Sequence, residues 1–289
     1  MRADQSPVGR PDGASALPSL AGWSGQRLPV WLKFSIGFMT LMVLGMAAEA
    51  AWLLWSGRPA AGIPLAAGAI YLGHVVGLAI RLWWTRRRSN RTGNLGVAPD
   101  GTRGVAFNYS AWSYYWITAV LVMTELVALA ATVGAGLSAT VVGVGTAVVT
   151  GSLVVVVGWT LVTMLRLAPG KIILSPAGVY HRSLTSTHFI PWPAIVAVSA
   201  DWLGTPIIAV KAVPSADTRV HRYMSRLSTG EMQFLPMMVV RTAWLSTDPT
   251  TVYHTLSFYR SHPDLQAELG TPDALDRISD GRAIREEEL

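Results

Sequence analysis

Residues 136–166 read GLSATVVGVGTAVVTGSLVVVVGWTLVTMLR, and no ionisable side chain lies between Gly136 and Arg166. A helix of about 20 apolar residues spans the hydrocarbon core of a bilayer, so this run is long enough to cross with some tilt. Upstream of it, apolar blocks alternate with short connectors. Downstream, the pattern changes to short strand-like pieces of ordinary charge density. The run is therefore read as the last membrane span and the stem of a soluble domain.

Composition agrees. Of 289 residues, 51% are hydrophobic and 14% charged, and the mean hydropathy is +0.38. Soluble domains carry about 25% charged residues, so the chain belongs to the membrane class. The formal net charge of +6 does not point to nucleic acid, because most arginines flank apolar runs, where basic residues hold loops on the cytoplasmic side. No cysteine is present, which excludes a disulfide framework, a thiolate metal site and a thiol nucleophile.

Three further spans precede the first-quoted one, at about 34–55, 62–84 and 112–133, with the last at 137–166. Residues 1–30 are rich in Pro, Gly, Ser and Ala and read as a disordered cytoplasmic leader. A cleavable signal peptide competes for the first span, since Ala48-Glu49-Ala50 mimics a cleavage site; the long leader favours a retained helix. Ala69, Gly73 and Gly77 recur every four residues, as do Gly143, Ala147 and Gly151, and each set gives a smooth face for helix contact. A turn at Gly134–Gly136 is expected between the last two spans. The connector 85–111 carries Arg86, Arg87, Arg88, Arg91 and Arg103, with Arg81 just before it, against lone Arg58 in the first hairpin. That bias places the connector, both termini and residues 168–289 on the cytoplasmic side of the plasma (inner) membrane.

The soluble domain starts at Ala168-Pro169-Gly170. Strands are expected at 171–174, 178–183, 187–192, 195–201 and 206–213, then a polar loop at 214–229 and a further strand at 234–241. Thr247-Asp248-Pro249 is a capped helix start and His262-Pro263 a stop. Residues 264–289 read as a loosely attached polar tail. A small sheet capped by one helix follows, and the chain as a whole is α+β.

Within this domain, Lys171-Ile-Ile-Leu-Ser-Pro-Ala-Gly-Val179 followed by Ile190-Pro191-Trp192-Pro-Ala-Ile195 resembles the opening of bacterial PH-like domains that follow membrane helices. Tyr259-Arg-Ser-His262-Pro263 and Glu268-Leu269-Gly270 resemble the ending of actinobacterial membrane proteins of that type. The likeness covers about residues 168–270. It implies a seven-stranded barrel-like sandwich at 168–263 plugged by a C-terminal helix, and a role in interaction rather than catalysis. The loop Ser175-Pro176-Ala177-Gly178 lacks the basic cluster that phosphoinositide-binding relatives use.

Three ionisable residues fall inside the spans: Glu49, His74 and Glu125. At 1.5 Å rise per residue they sit about 10, 18 and 13 Å from the outer ends of their helices, depths that allow them to meet. Thr118, Glu125 and Thr132 recur every seven residues and make a polar stripe. Three readings remain open: hydrogen-bonded packing between helices, proton or ion handling, and a metal site. His181 and His188 are placed to face one another across a hairpin, with paired surface histidines or a zinc site as the alternatives. Arg86, Arg87 and Arg88, with Arg219, Arg222 and Arg226, are candidates for contact with anionic lipid headgroups. The chain has no phosphate-binding glycine loop, nucleophile elbow or zinc-protease pair, and no cofactor is implied. The function expected is that of a scaffold or accessory subunit of a membrane complex, self-associating or bound to other membrane proteins. A small ion-coupled transporter component and an intramembrane metal hydrolase are the alternatives.

Overall fold

The computed structural model describes Trp23 and residues 30–83, 93–138, 140–223 and 237–285. Four long apolar helices come first in it, α1 (Val30–Trp55), α2 (Pro59–Trp83), α3 (Ala111–Leu137) and α4 (Val141–Leu167). All four are long and apolar enough to cross a membrane. They form two hairpins. In the first, Gly62 packs on Leu54, Gly68 on Met46 and Gly73 towards Val43, which fixes α1 and α2 as antiparallel. Gly77 abuts the Trp116 ring, so the small-residue face of α2 also seats α3 and joins the hairpins. Outward side chains such as Phe34, Leu44, Val127, Val148 and Val155 remain exposed. That is the distribution expected of helices whose solvent is lipid tails.

The turns sit slightly off their expected places, for physical reasons. Pro59 opens α2 at a position where its missing donor costs nothing, after Gly57 closes α1 with φ +76°. In the second hairpin α3 continues through Gly134 and Gly136 to Leu137. The reversal comes after Ser138, and Thr140 Oγ1 accepts from Gly143 N at 3.0 Å and caps α4.

Among the described residues, nine strands build two antiparallel sheets. The larger runs β1 (Asn94–Val97), β2 (Arg103–Asn108), β3 (Lys171–Ser175), β4 (Gly178–Arg182), β5 (Ser186–Pro191) and β8 (Arg219–Arg222), in the order β1-β2-β3-β4-β5-β8. The smaller contains β6 (Ile195–Trp202), β7 (Pro206–Ala212) and β9 (Met238–Arg241). Two strands of the larger sheet come from the connector between α2 and α3, which the sequence marks only by its arginines. Val105 pairs with Leu174 and Phe107 with Ile172, so β2 lies directly beside the first strand after α4. β8 likewise occupies part of the stretch expected to be a loop.

Period-2 alternation on these strands supplies the core. Val105, Phe107, Ile172, Leu174, Val179 and Ile190 face Ile208, Val210, Met238 and Val240 of the other sheet. Helix α5 (Pro249–Ser261) adds Val252, Leu256 and Tyr259. Its cap is the expected one, Asp248 Oδ1 accepting from Thr250 N at 2.8 Å. Trp192 is buried, its indole donating to Ser175 O.

Residues 263–285 are folded rather than loosely attached. A 3-10 segment (Pro263–Gly270), α6 (Pro272–Ser279) and a last turn (Arg282–Arg285) bury Leu269, Ala274, Ile278 and Ala283. Glu268 pins this segment down, accepting from Tyr259 Oη at 2.8 Å and Arg277 Nε at 2.7 Å. Burial alone would raise the Glu268 pKa, but these two donors and the Arg277 charge bring it below the ordinary value.

Candidate functional site

The three intramembrane groups do not converge. Glu49 is exposed on α1. His74 Nδ1 lies 2.8 Å from Ile70 O, and since a carbonyl only accepts, Nδ1 carries the proton. Nε2 lies 3.2 Å from Tyr115 Oη. The imidazole belongs to an aromatic group with Tyr115 and Trp116, the latter centred 5.4 Å away. Glu125 lies ten residues beyond Tyr115 on α3, about 15 Å along the axis. Its carboxylate faces α4 at Gly158, where an added Cβ would sit 3.1 Å from Oε1. Oε2 is buried and has no hydrogen-bond partner among the described residues. One heptad further on, Thr132 Oγ1 donates to Thr150 Oγ1 at 2.8 Å, so the polar stripe of α3 lies against α4. Among the described residues no group of three or more His, Asp or Glu is placed to hold a metal ion.

The histidine pair meets as the hairpin register requires, His181 opposite His188 with ring centroids 6.3 Å apart. It is not a surface pair. His181 is buried, and its Nε2 lies 2.6 Å from Tyr109 Oη at the seam between connector and tail. Burial, with His188 adding to it, pushes the His181 pKa down to about 3. Burial, with Arg222 adding, pushes His188 down to about 4. Both rings are neutral near pH 7 and act as packed hydrogen-bonding groups.

The basic candidates divide. Arg86, Arg87, Arg88 and Arg226 lie outside the described residues. Arg219 and Arg222 sit on β8, three residues apart, and so project to opposite faces of the sheet. Arg219 turns to the outer face. There Tyr180, Phe189, Arg219, His221 and Tyr223, with the β1–β2 turn at Ala98–Asp100, line a cavity of about 900 Å³. Sequence reasoning did not single out Tyr180 or Phe189. Their only signal is the register, Ala106–Ile173–Tyr180–Phe189–Arg219, a row contributed by five strands.

The helices meet the sandwich at a dense junction. Tyr109 N donates to Gly170 O at 2.9 Å, Gly170 N to Tyr114 Oη at 2.7 Å, and Ser110 N to Trp244 O at 2.7 Å. Trp23, in the leader, also reaches the sandwich. Its indole donates to Asp201 O and Ile207 O at 3.1 Å each, and its ring meets Tyr253 of α5 edge-on. Leader, connector and tail therefore lie at one end of the helices. No protein family, curated protein or solved structure matches this chain.

Proposed function

We propose that the chain is an integral membrane scaffold or accessory subunit of a membrane protein complex, its sandwich a PH-like interaction domain in the cytoplasm. The observation that carries this reading is the joint construction of the sandwich. β2 from the connector pairs with β3 from the tail, which makes the soluble domain a platform fixed to the helix ends rather than a tethered module. Two antiparallel sheets with α5 packed on their shared core favour the PH-like comparison. Arg81 and Arg103 at that end, against lone Arg58 at the other, favour the cytoplasmic side. Exposed apolar faces on all four helices offer lateral contact to other membrane proteins or to a second copy, and Arg219 and Arg222 offer charge to anionic headgroups. The test is purification of the full chain in mild detergent with mass spectrometry of what accompanies it. A stoichiometric membrane partner, or a defined oligomer, is expected; a monodisperse lone chain would sink the reading. Because the chain has no native cysteine, a single Asp280→Cys label protected from outside reagents in intact cells tests the orientation.

A second reading has its own observation. The partnerless Glu125 Oε2 between α3 and α4 suits a proton- or ion-coupled component. Glu125→Gln abolishes a proton-coupled flux in that case and leaves the protein's behaviour unchanged if the carboxyl only packs.

A further inference from the structure

The smaller sheet and α5 hold one residue that belongs to neither. Trp23 is half-buried against the sandwich core, and its Nε1–H donates to two backbone oxygens, Asp201 O and Ile207 O, each 3.1 Å away. Those two residues face one another across β6 and β7, so the ladder sets the spacing of the oxygens whether or not an indole is present. The turn beyond them is closed by Leu203 N donating to Thr205 O at 3.0 Å, with Gly204 at φ +68°. Ser199 Oγ donates to Asp201 Oδ2 at 2.6 Å and keeps that carboxylate on its own strand. The other wall is Tyr253 of α5, whose ring meets the indole edge-on with centroids 6.4 Å apart. That helix is seated independently, by the Asp248 cap and by Val252 and Leu256 in the core. Both walls therefore belong to elements that Trp23 does not build.

The slot they form is chemically selective. Carbonyl oxygens only accept and an indole N–H only donates, so a carboxylate or a second carbonyl cannot take this position. The edge-on ring wall adds a preference for an aromatic group. The leader carries a matching sequence. Trp23 is the one aromatic residue in residues 1–30, and it stands in Ala21-Gly22-Trp23-Ser24-Gly25, with small residues on both sides. Such flanks need no room beside the ring. Six residues separate Trp23 from α1 at Val30, and a short tether gives an effective concentration on the order of millimolar. A segment that fills the slot in cis therefore needs a dissociation constant of only about 1 mM or below. A tie of that strength yields to a competitor.

We propose that this slot, between the β6–β7 turn and α5, is a recognition site for a tryptophan-bearing peptide segment of a partner protein, and that the leader is its built-in competitor. The partner's segment carries one tryptophan between small residues and places its indole where Trp23 sits. Asp201 O and Ile207 O then keep the kind of donor they already have, so the exchange leaves the sandwich with no hydrogen bond lost. A single tryptophan anchored in a preformed pocket is a common centre of binding energy in protein interfaces. The existence of a partner rests on the reading of the sandwich as an interaction domain, whereas the chemistry of the slot does not.

The test uses the full chain in mild detergent, titrated with a peptide of residues 17–29 whose tryptophan carries fluorine, and followed by fluorine NMR. Trp23→Ala empties the slot without touching either wall, and this variant is expected to bind the peptide with a dissociation constant of about 1 mM or below. The unaltered chain binds it about tenfold more weakly, because its own leader competes. A Trp23→Phe peptide, labelled on its phenylalanine, binds the emptied slot about tenfold more weakly, having lost the donor and part of the ring. Tyr253→Ala in the Trp23→Ala background weakens the original peptide several-fold. Equal binding to the unaltered and Trp23→Ala chains, or none to Trp23→Ala, overturns the slot. N-acetyltryptophanamide binding as tightly as the peptide overturns the assignment to a peptide segment. Trp23→Ala chains that associate with unaltered chains until the peptide separates them make the leader of a second copy the occupant and overturn the separate partner. A chain that purifies alone yet binds the peptide as expected supports the slot and removes only the scaffold reading. A copurifying partner that excess peptide does not loosen, with no peptide binding to Trp23→Ala, overturns the slot alone.

Discussion

The two helical hairpins stand in different relations to the sandwich. The second is built into it at both ends: α3 follows β2 through Tyr109, Ser110 and Tyr114, and α4 runs into β3 through Gly170, with hydrogen bonds across the seam. The first meets the rest of the chain through α2 against α3, at the Thr242–Trp244 turn, and through Trp23. Tyr71 Oη and Thr124 Oγ1, 3.1 Å apart, are one of its few polar contacts with the second hairpin. The difference lies in which helices the two sheets are joined to. The sandwich core is assembled around the ends of α3 and α4, with the first hairpin added alongside.

The largest expected effect is that of acid on the seam. His181 and His188 have folded pKa values of about 3 and about 4, against about 6.5 for an unfolded histidine. Between these values the unfolded chain binds the additional protons. Stability is therefore full above about pH 6.5 and falls as pH drops, by about 1.4 kcal/mol per unit for each ring. Sandwich amides should lose hydrogen-exchange protection between pH 6 and 4.5, ahead of those in α1 and α2. Tyr109→Phe with His181→Leu should roughly halve the slope. A sandwich indifferent to pH over that window would mean the seam is not closed on neutral histidines.

Next in size is Phe107→Ala. Phe107 comes from the connector yet is fully buried with Ile172 and Leu174, so its loss should cost the tail domain about 3–5 kcal/mol. Phe38 on α1 is 50% exposed, and Phe38→Ala should change sandwich stability by less than about 0.5 kcal/mol. Thermal melts of the two variants in one detergent give the comparison. Equal effects would erase the distinction between the hairpins. A smaller loss, about 1–3 kcal/mol, is expected for Gly170→Ala, because the new Cβ lands on the Tyr109 ring, Arg182 O and Tyr114 Oη. Gly145→Ala on α4 meets nothing within 4 Å and should be neutral or slightly stabilising as a better helix former.

The four helices were legible because an apolar run of that length has few alternative readings, and the strands from 171 to 212 because their alternation is regular. β1 and β2 were not. Asn94–Val97 is four residues with a glycine, and Val105 and Phe107 alternate inside a segment whose arginines carry the stronger signal. β8 offers one apolar residue, Val220, among Arg219, His221 and Arg222. Residues 263–285 hide their core contacts because Leu269, Ala274 and Ile278 are spread over a 3-10 segment and a short helix, which breaks any single period. For the outer-face cavity, Arg219 was legible as a basic candidate. Tyr180 and Phe189 were not, since their adjacency exists only once three strands are in register.

Trp23 provides the smallest and most specific test, because it ties a leader residue to the sandwich. Its indole N–H is shared between Asp201 O and Ile207 O near the β6–β7 turn, while the ring meets Tyr253 at 6.4 Å. Trp23→Phe keeps an aromatic six-membered ring and removes the donor with the rest of the indole, so the hydrogen bonding, about 0.5–1.5 kcal/mol, is lost together with part of the ring's packing. Hydrogen exchange should speed up several-fold around residues 201–208 and stay unchanged at the α3–α4 junction, where Gly170 and Tyr114 do the holding. Loss of protection at both places would mean that Trp23 and the junction form one cooperative unit. The first hairpin would then be as much a part of the sandwich's folding as the second.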